Sequence, residues 1–363
     1  MKMRRIFALL LISSIVLALG ACSESPQETE PAKQGVAYLY GETHSNPAIY
    51  DLEVRLWQDH YHNQGTRHLF LEFSYFTTAY LNLWMQSEDD TILLQLYENW
   101  EGTSIQIEET LEFFRAIKKT CPETVFHGTD VGHQYWNTGE QYLAYLEEQN
   151  LTDTEEYQRT VESIEQGKNY YCYGLGSSVR DDVYRENTMA ANFIREFEAL
   201  KGEDIMGIYG MAHVRMDSLN NTGECDSMGK QLVAHFGEVF TVEDLTRRMQ
   251  LEAQPEKIET LTINKKDYEA EYFGLKPLSE NYSNGYSQVE YWHVLDAHDA
   301  FMKAGFASGD VLHESSFPMD IEEGEAYVVK YGYPDGRSMI HYYLCVAYEG
   351  KLYAREVYSS KIK

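Results

Sequence analysis

From residue 36 to about residue 245, short runs of aliphatic and aromatic residues alternate with longer amphipathic stretches. That alternation predicts a mostly parallel sheet flanked by helices. Val36-Ala37-Tyr38-Leu39-Tyr40 reads as a buried strand stopped by Gly41. From about Pro47, the residues Ile49, Leu52, Leu56 and Trp57 recur on one helical face. His68-Leu69-Phe70-Leu71-Glu72-Phe73 predicts a second strand, and helical patterns follow over 77–99 and 106–119. Thr124-Val125-Phe126-His127 predicts a third, running into Gly128-Thr129-Asp130. Residues 138–201 read as about three helices, Ile205 to Tyr209 as a fourth strand closed by Gly210, and 227–236 and 238–242 as a last helix and strand.

Beyond this unit the pattern changes. Residues 265–290 are polar, Tyr-rich and turn-prone, which predicts a linker or excursion across 251–290. Ala326 to Tyr333, Ser338 to Tyr348 and Leu352 to Ser359 then predict a three-stranded meander, with turns at Pro334-Asp335-Gly336-Arg337 and Glu349-Gly350-Lys351. The fold class expected is therefore α/β over 35–250, with a C-terminal α+β extension over 291–363 carrying antiparallel β structure. The extension fits either packing on the main sheet or a separate unit.

The N-terminus stands outside this scheme. Lys2, Arg4 and Arg5 precede an apolar run, Ile6 to Leu19, that is short for a membrane span. It ends in Leu19-Gly20-Ala21-Cys22, which resembles the lipobox of bacterial lipoproteins. The resemblance implies a signal peptide over 1–21, acylation of Cys22, and a location on the extracytoplasmic side of a bacterial membrane. Residues 22–34, polar and with two prolines, read as a flexible tether. Removing the three basic residues of the leader moves the net charge from −28 to about −31. So acidic a chain excludes nucleic acid and anionic lipid as charge-driven partners. Cys121, Cys172, Cys225 and Cys345 remain, and their spacing suggests neither a redox nor a zinc site; buried thiols or one bridge are expected.

The chemistry is concentrated where strands end. The first predicted strand runs into Gly41-Glu42-Thr43-His44, the second carries Glu72, the third leads to Asp130, and the fourth to Gly210-Met211-Ala212-His213. Ligands of parallel sheets bind outside the carboxyl ends of the strands. A carboxylate after His-Leu-Phe-Leu in a buried strand needs a partner or a cavity, which singles out Glu72. Two histidines with carboxylates suit a divalent metal (Mn, Co or Zn) held by His44, His213, Glu42 and Glu72. They also suit metal-free activation of water, with a histidine as base and an arginine at an oxyanion. His127 and His133 flank Asp130 and join Thr43 and Asp130 as candidate substrate contacts. His68 follows Gly65-Thr66-Arg67 but begins a strand, at the wrong end of the sheet. His60, His62, His235, His293, His298, His313 and His341 are expected to be structural or superficial.

These segments carry a resemblance. Gly41-Glu42-Thr43-His44, Glu72, Gly128-x-Asp130, Arg185-Glu186-x-x-Met189-Ala190, Gly210-x-x-His213 and Ser227-Met228-Gly229 occur in the order seen in the superfamily of erythromycin esterases, ChaN-type haem-binding lipoproteins and Tiki/TraB proteins. The resemblance covers roughly residues 36–245. It implies that Glu42, His44, Glu72 and His213 line the site, with His44 as general base or metal ligand and Arg185 binding substrate or oxyanion. It leaves two functions open: a hydrolase of ester or amide bonds in small molecules or peptides, or a lipoprotein that binds haem or another small ligand.

Overall fold

The computed structural model describes residues 35–44, 47–172, 180–237, 239–278 and 285–361. The expected signal peptide, Cys22 and the tether lie outside the described residues.

The first half builds a five-stranded parallel sheet. In chain order it runs β1 (Ala37–Glu42), α1 (Pro47–Asp59), β2 (His68–Ser74), α2 (Tyr75–Gln86), α3 (Thr91–Asn99), α4 (Glu108–Thr120) and β3 (Val125–Asp130). It continues through α5 (Glu140–Glu148), α6 (Glu155–Tyr170), α7 (Asp182–Ala199), β4 (Ile205–Gly210), the short α8 (Met211–Val214), α9 (Met228–Phe236), β5 (Phe240–Asp244) and α10 (Leu245–Glu252). The strand order is β3-β2-β4-β1-β5, so β4 is inserted between β1 and β2.

Alternation along the strands sorts side chains between two helical layers. Leu69, Leu71, Phe126 and Ile208 join one core with Trp57, Trp84, Trp100 and Phe114 from α1 to α4. Phe70, Ile205 and Tyr209 join the other with Met189, Phe193 and Leu232 from α7 and α9. Every residue of β4 is buried, as expected of a central strand covered on both faces. The helical stretch expected over 77–99 is two helices, broken at Ser87 to Asp90, where Trp84 Nε1 donates to Asp90 Oδ1 at 3.0 Å.

The second half corrects one expectation. Residues 251–290 hold β6 (Lys257–Ile263), β7 (Lys266–Pro277) and the start of β8 (Gln288–Val294) rather than a linker. In β7 the buried positions Tyr268, Ala270 and Tyr272 alternate with exposed Asp267, Glu269 and half-exposed Glu271. Tyrosines serve as the apolar half of a period-two pattern, so high polarity concealed a strand. After α11 (His298–Ala304) and β9 (Phe306–His313), the expected meander appears as β10 (Ala326–Gly332), β11 (Ser338–Tyr348) and β12 (Lys351–Val357). These form a seven-stranded antiparallel sheet, β6-β7-β8-β10-β11-β12-β9, with its own cores on both faces. The extension is a second sheet rather than an addition to the first. All four described cysteines are free thiols, with Cys121 and Cys345 buried.

The sheets meet at α10. Buried Gln250 donates through Nε2 to the carbonyls of Glu314 and Phe317, both at 2.9 Å, and its own carbonyl accepts from Asp320 N at 3.0 Å. Arg247, one turn earlier, is ion-paired with Asp320. A Gln250→Leu variant would leave two carbonyls without their donor, at about 1–3 kcal/mol for a buried unsatisfied group. Its urea midpoint should fall with an unchanged m-value; an unaltered midpoint would show that this seam contributes nothing to stability.

Candidate active site

Strand order gathers the acids. Glu42, Gly210, Glu72 and Asp130 stand at or near the carboxyl ends of β1, β4, β2 and β3, which are consecutive neighbours in the sheet. Glu42 pairs in register with Gly210 across β1 and β4. Space there is short: a Cβ on Gly210 would lie 3.1 Å from His44 Nε2 and 3.3 Å from Glu72 Oε2. One on Gly41 would lie 2.2 Å from Met211 Sδ. Both glycines are therefore demanded by close approach at the crossing of two loops.

The side chains form a chain of alternating charge. His44 Nδ1 donates to Glu42 Oε1 at 2.9 Å, and its Nε2 faces Glu72 Oε1 at 3.6 Å. Arg185, from the first turn of α7, donates through Nη2 to that same Glu72 oxygen at 2.5 Å and to Asp130 Oδ2 at 2.6 Å. Its Nε adds a bond to Asp130 Oδ1 at 3.0 Å. The other Glu72 oxygen accepts from Gly210 N at 2.6 Å. His213 directs Nε2 at Glu72 Oε1 from 3.5 Å, while its Nδ1 is 2.7 Å from Glu186 Oε2. Glu186 is fixed in turn by Met228 N, at 2.6 Å. Beyond Asp130, His133 has Nε2 at 3.0 Å from Oδ2 and Nδ1 at 2.7 Å from the Tyr171 hydroxyl.

These contacts set the protonation states. The hydrogen bond to Glu42, and then the nearby Glu72 carboxylate, push the half-exposed His44 up to about 11, against the opposing effect of burial. The ring is therefore an imidazolium at neutral pH, an acid rather than a resting base. Burial works against the ionised form of Glu72, but His213, His44 and Arg185 outweigh it and hold that carboxyl well below the usual range. Asp130 is likewise lowered, burial being overcome by Arg185 and His133. For His213, burial is outweighed by Glu72 and Glu186, and the ring is raised. Glu53, on α1, goes the other way. Burial first, and the neighbouring Glu42 second, raise it well above an ordinary carboxyl.

A cavity of about 270 Å³ opens beside this chain. Its polar end is formed by Glu42, His44, Glu72, Asp130, His133 and Arg185, and its apolar walls by Leu71, Phe73, Ile105, Phe113, Phe114 and Ile208. Tyr50, Glu53 and Thr110 interrupt the apolar wall.

Of the residues singled out in the sequence, Glu42, His44, Glu72, Asp130, His133 and Arg185 border the cavity, and His213 lies behind Glu72. Two do not join them. Thr43 is exposed and turned to Thr246, 3.0 Å away. His127 sits inside β3, stacked on Phe70 and bonded to His68 and Glu196, because odd-numbered β3 positions at that depth face the α7 layer. Two acids were overlooked, Glu53 and Glu186. Each occupies a helical apolar stripe: Ile49-Leu52-Glu53-Leu56-Trp57 and Glu186-Met189-Ala190-Phe193. An acid inside such a stripe was the available signal.

The donor set does not fit a resident divalent metal. Arg185 already places a cation against Glu72 and Asp130, and a metal between the histidines would face it. Among the described residues, no group of three or more His, Cys, Asp or Glu has metal-holding geometry. Nor do these histidines fit as haem ligands. His44 and His213 each have one nitrogen on a carboxylate and the other facing Glu72, and both His133 nitrogens are bonded.

No protein-family model and no curated protein matches the chain. Three solved structures are similar at a distance. A Bacillus cereus protein shares 11% identity over 72% of this chain and 77% of its own, with a TM-score of 0.41. A mutant of the erythromycin esterase EreC in its open conformation shares 11% over 57% and 69%, at 0.40. A succinoglycan biosynthesis protein shares 12% over 57% and 65%, at 0.41.

Replacing Arg185 by Met would remove the guanidinium from two buried carboxylates, leaving them to their histidine and backbone partners, a loss of about 3–5 kcal/mol at pH 7. Both carboxyls are depressed in the native protein, so their contribution is present above the unfolded value near pH 4 and is lost as pH falls through their native values. The deficit of Arg185→Met in urea should therefore persist from pH 7 to about pH 4 and shrink as pH falls further. A variant within 1 kcal/mol of wild type at pH 7 would contradict this account.

Proposed function

We propose that this chain is a lipid-anchored hydrolase acting outside the cytoplasm on an ester or amide bond. The observation that carries the reading is the convergence of two imidazoles on one carboxylate. His44 Nε2 and His213 Nε2 lie 3.6 and 3.5 Å from the same Glu72 oxygen, at the polar end of an apolar-walled cavity. Those separations exceed direct hydrogen bonds and leave three polar groups facing one point.

The protonation states assign roles. His44 begins as the acid: Nδ1–H is held by Glu42, and Nε2–H donates to the carbonyl oxygen as charge develops and then to the leaving group. Glu42 is the flanking carboxylate that takes the proton of an attacking water, while Glu72, held well below the usual range, stays ionised between the two imidazoles. The balance is simple: water loses a proton to a carboxylate, the acyl bond breaks, and the leaving oxygen or nitrogen takes the His44 proton. Proton return from the carboxylate to His44 restores the site. Arg185, bonded through Nη2 and Nε to Glu72 and Asp130, orients the carboxylate, and its Nη1 stands 3.5 Å from His213 Nε2. Glu186 fixes His213 by its Nδ1, as the orienting member of the pair.

A volume of about 270 Å³ lies just below the usual range for drug-sized ligands, about 300–1,000 Å³, so the occupant of the cavity is a compact group. A peptide or larger ester would place only one side group inside.

Hydrolysis of a nitrophenyl ester and peptide panel by the purified protein should occur without added metal. His44→Gln should lower kcat by about 10²–10⁴-fold, whereas Thr43→Ala and His127→Ala should not. Because His44 is raised to about 11, the alkaline limb of kcat should begin only as pH climbs towards that value, while the acid limb follows protonation of the carboxylate that accepts the proton of water. Absence of turnover, or a His44→Gln enzyme as fast as wild type, would end the proposal. For the anchor, the full-length protein expressed in a bacterium should sediment with membranes, and Cys22→Ser should release it from that fraction. A Cys22→Ser protein that stays acylated and membrane-bound would refute lipidation at this residue.

A further inference from the structure

One lysine in the second sheet stands without a counterion. β7 is bulged between Tyr272, which pairs with Trp292, and Leu275, which pairs with Glu290, and Gly274 within the bulge has a φ of +87°. Before the bulge, Tyr268, Ala270 and Tyr272 face one core of this sheet. After it, Lys276 pairs with Val289, which belongs to the core on the opposite face. Paired residues point to the same side of a ladder, so the bulge turns Lys276 onto the face covered by Phe317, Met319 and Ile321. An unbroken strand would have put it with Tyr272.

On that face Lys276 borders a pocket of about 120 Å³ between α10, β8 and residues 315–318. Thr246, Tyr291, Ser316 and Phe317 contribute to its walls, and none of the described residues that line it is an acid. Lys276 is half-buried, and among the described residues it has neither an ion pair nor a hydrogen bond. Burial, with no charge near enough to oppose it, pushes its ammonium below the ordinary lysine value. In a chain with 58 acidic and 30 basic side chains, that isolation is not for want of carboxylates. A desolvated ammonium with three donors and no partner is completed by an anion entering from solvent.

We propose that this pocket binds a small oxyanion, a carboxylate or a phosphate group, with Lys276 as its cation and the Ser316 hydroxyl as a further donor. Ser315 Oγ is engaged with His313 Nδ1 at 3.0 Å, whereas the Ser316 side chain has no hydrogen bond among the described residues. The volume holds about four water-sized groups of ~30 Å³, enough for the oxyanion, while a larger body would remain outside. An occupant would tie β7 to α10 and to residues 315–318, the segments that Gln250 already joins. The pocket shares no lining residue with the cavity at the strand ends, so the proposal stands apart from the hydrolase reading.

Melting temperatures of the purified protein at pH 7 are compared in sodium phosphate, sodium acetate and sodium chloride of equal ionic strength. Phosphate stabilises proteins generally by exclusion from their surface, so the quantity read is the difference between wild type and Lys276→Gln. Wild type should gain about 2–4 °C more than the variant at saturating phosphate or acetate, and no more than the variant in chloride. A gain with phosphate alone assigns a phosphate group, and one with acetate alone a carboxylate. A second arm uses wild type only. Acetylation of amines by an N-hydroxysuccinimide ester, mapped by mass spectrometry, should slow at Lys276 about tenfold at ten times the half-saturating anion concentration. Exposed Lys265 and Lys351 should label at an unchanged rate. Equal gains in wild type and Lys276→Gln, no oxyanion effect beyond that of chloride, or unchanged labelling of Lys276 would each overturn the proposal. Should Lys276→Gln fail to fold, the labelling of wild type decides.

Discussion

A buried guanidinium shared by two carboxylates is the interaction on which the rest depends. Arg185 links Glu72 at the end of β2 to Asp130 at the end of β3, and α7 delivers it across the face of the sheet. Without it, the strand ends would bring acids together against their mutual repulsion and their burial. With it, Glu72 remains ionised in the interior, and an ionised Glu72 raises both imidazoles. The guanidinium thus joins His213 and His44 in keeping Glu72 charged, and Glu72 adds to Glu42 in making His44 acidic. It also accounts for the ill fit of a divalent ion, since the protein provides its own cation where one would sit.

The arrangement has two tiers. The carboxylates Glu42 and Glu186 each hold one imidazole by its Nδ1, leaving the Nε2 atoms to face Glu72. A histidine held this way has one tautomer and one ring orientation, so rotational freedom is removed before any ligand arrives. The opposite treatment of two acids in the same cavity, Glu72 kept charged and Glu53 kept neutral, comes from neighbours rather than from depth. Both are buried; only one touches a cation.

Much of this was legible in the chain. The five parallel strands follow from short apolar runs, two of them closed by Gly41 and Gly210, and the acids and histidines at strand ends follow from the rule that strand termini make crevices. What could not be read was lateral order. Nothing in residues 36–74 says that β4 will separate β1 from β2, and that insertion brings Gly210 against His44 and Glu72. Protonation was equally hidden: His44 suggested a base because a lone imidazole titrates near neutrality, whereas two flanking carboxylates change its resting form. Glu53 and Glu186 were visible as acids on apolar helical faces, but a helical glutamate is ordinarily solvated, and only the packing of α1 and α7 shows otherwise. In the tail, tyrosines alternating with acids disguised β7 as a loop. The eye reads polarity there; the sheet reads period.

The position of β4 has a consequence for how the molecule comes into being. β1 and β2 are made early, but they share no hydrogen bonds with each other; their common neighbour is synthesised more than 130 residues later. β2 and β3 can pair with each other, but until β4 slides in they cannot join β1, and His44 and Glu72 have no reason to be near one another. Pairings so remote in sequence carry a large entropic barrier and form late. The working centre is therefore among the last things the chain acquires, and a polypeptide emerging piecemeal holds no partially competent version of it on the way.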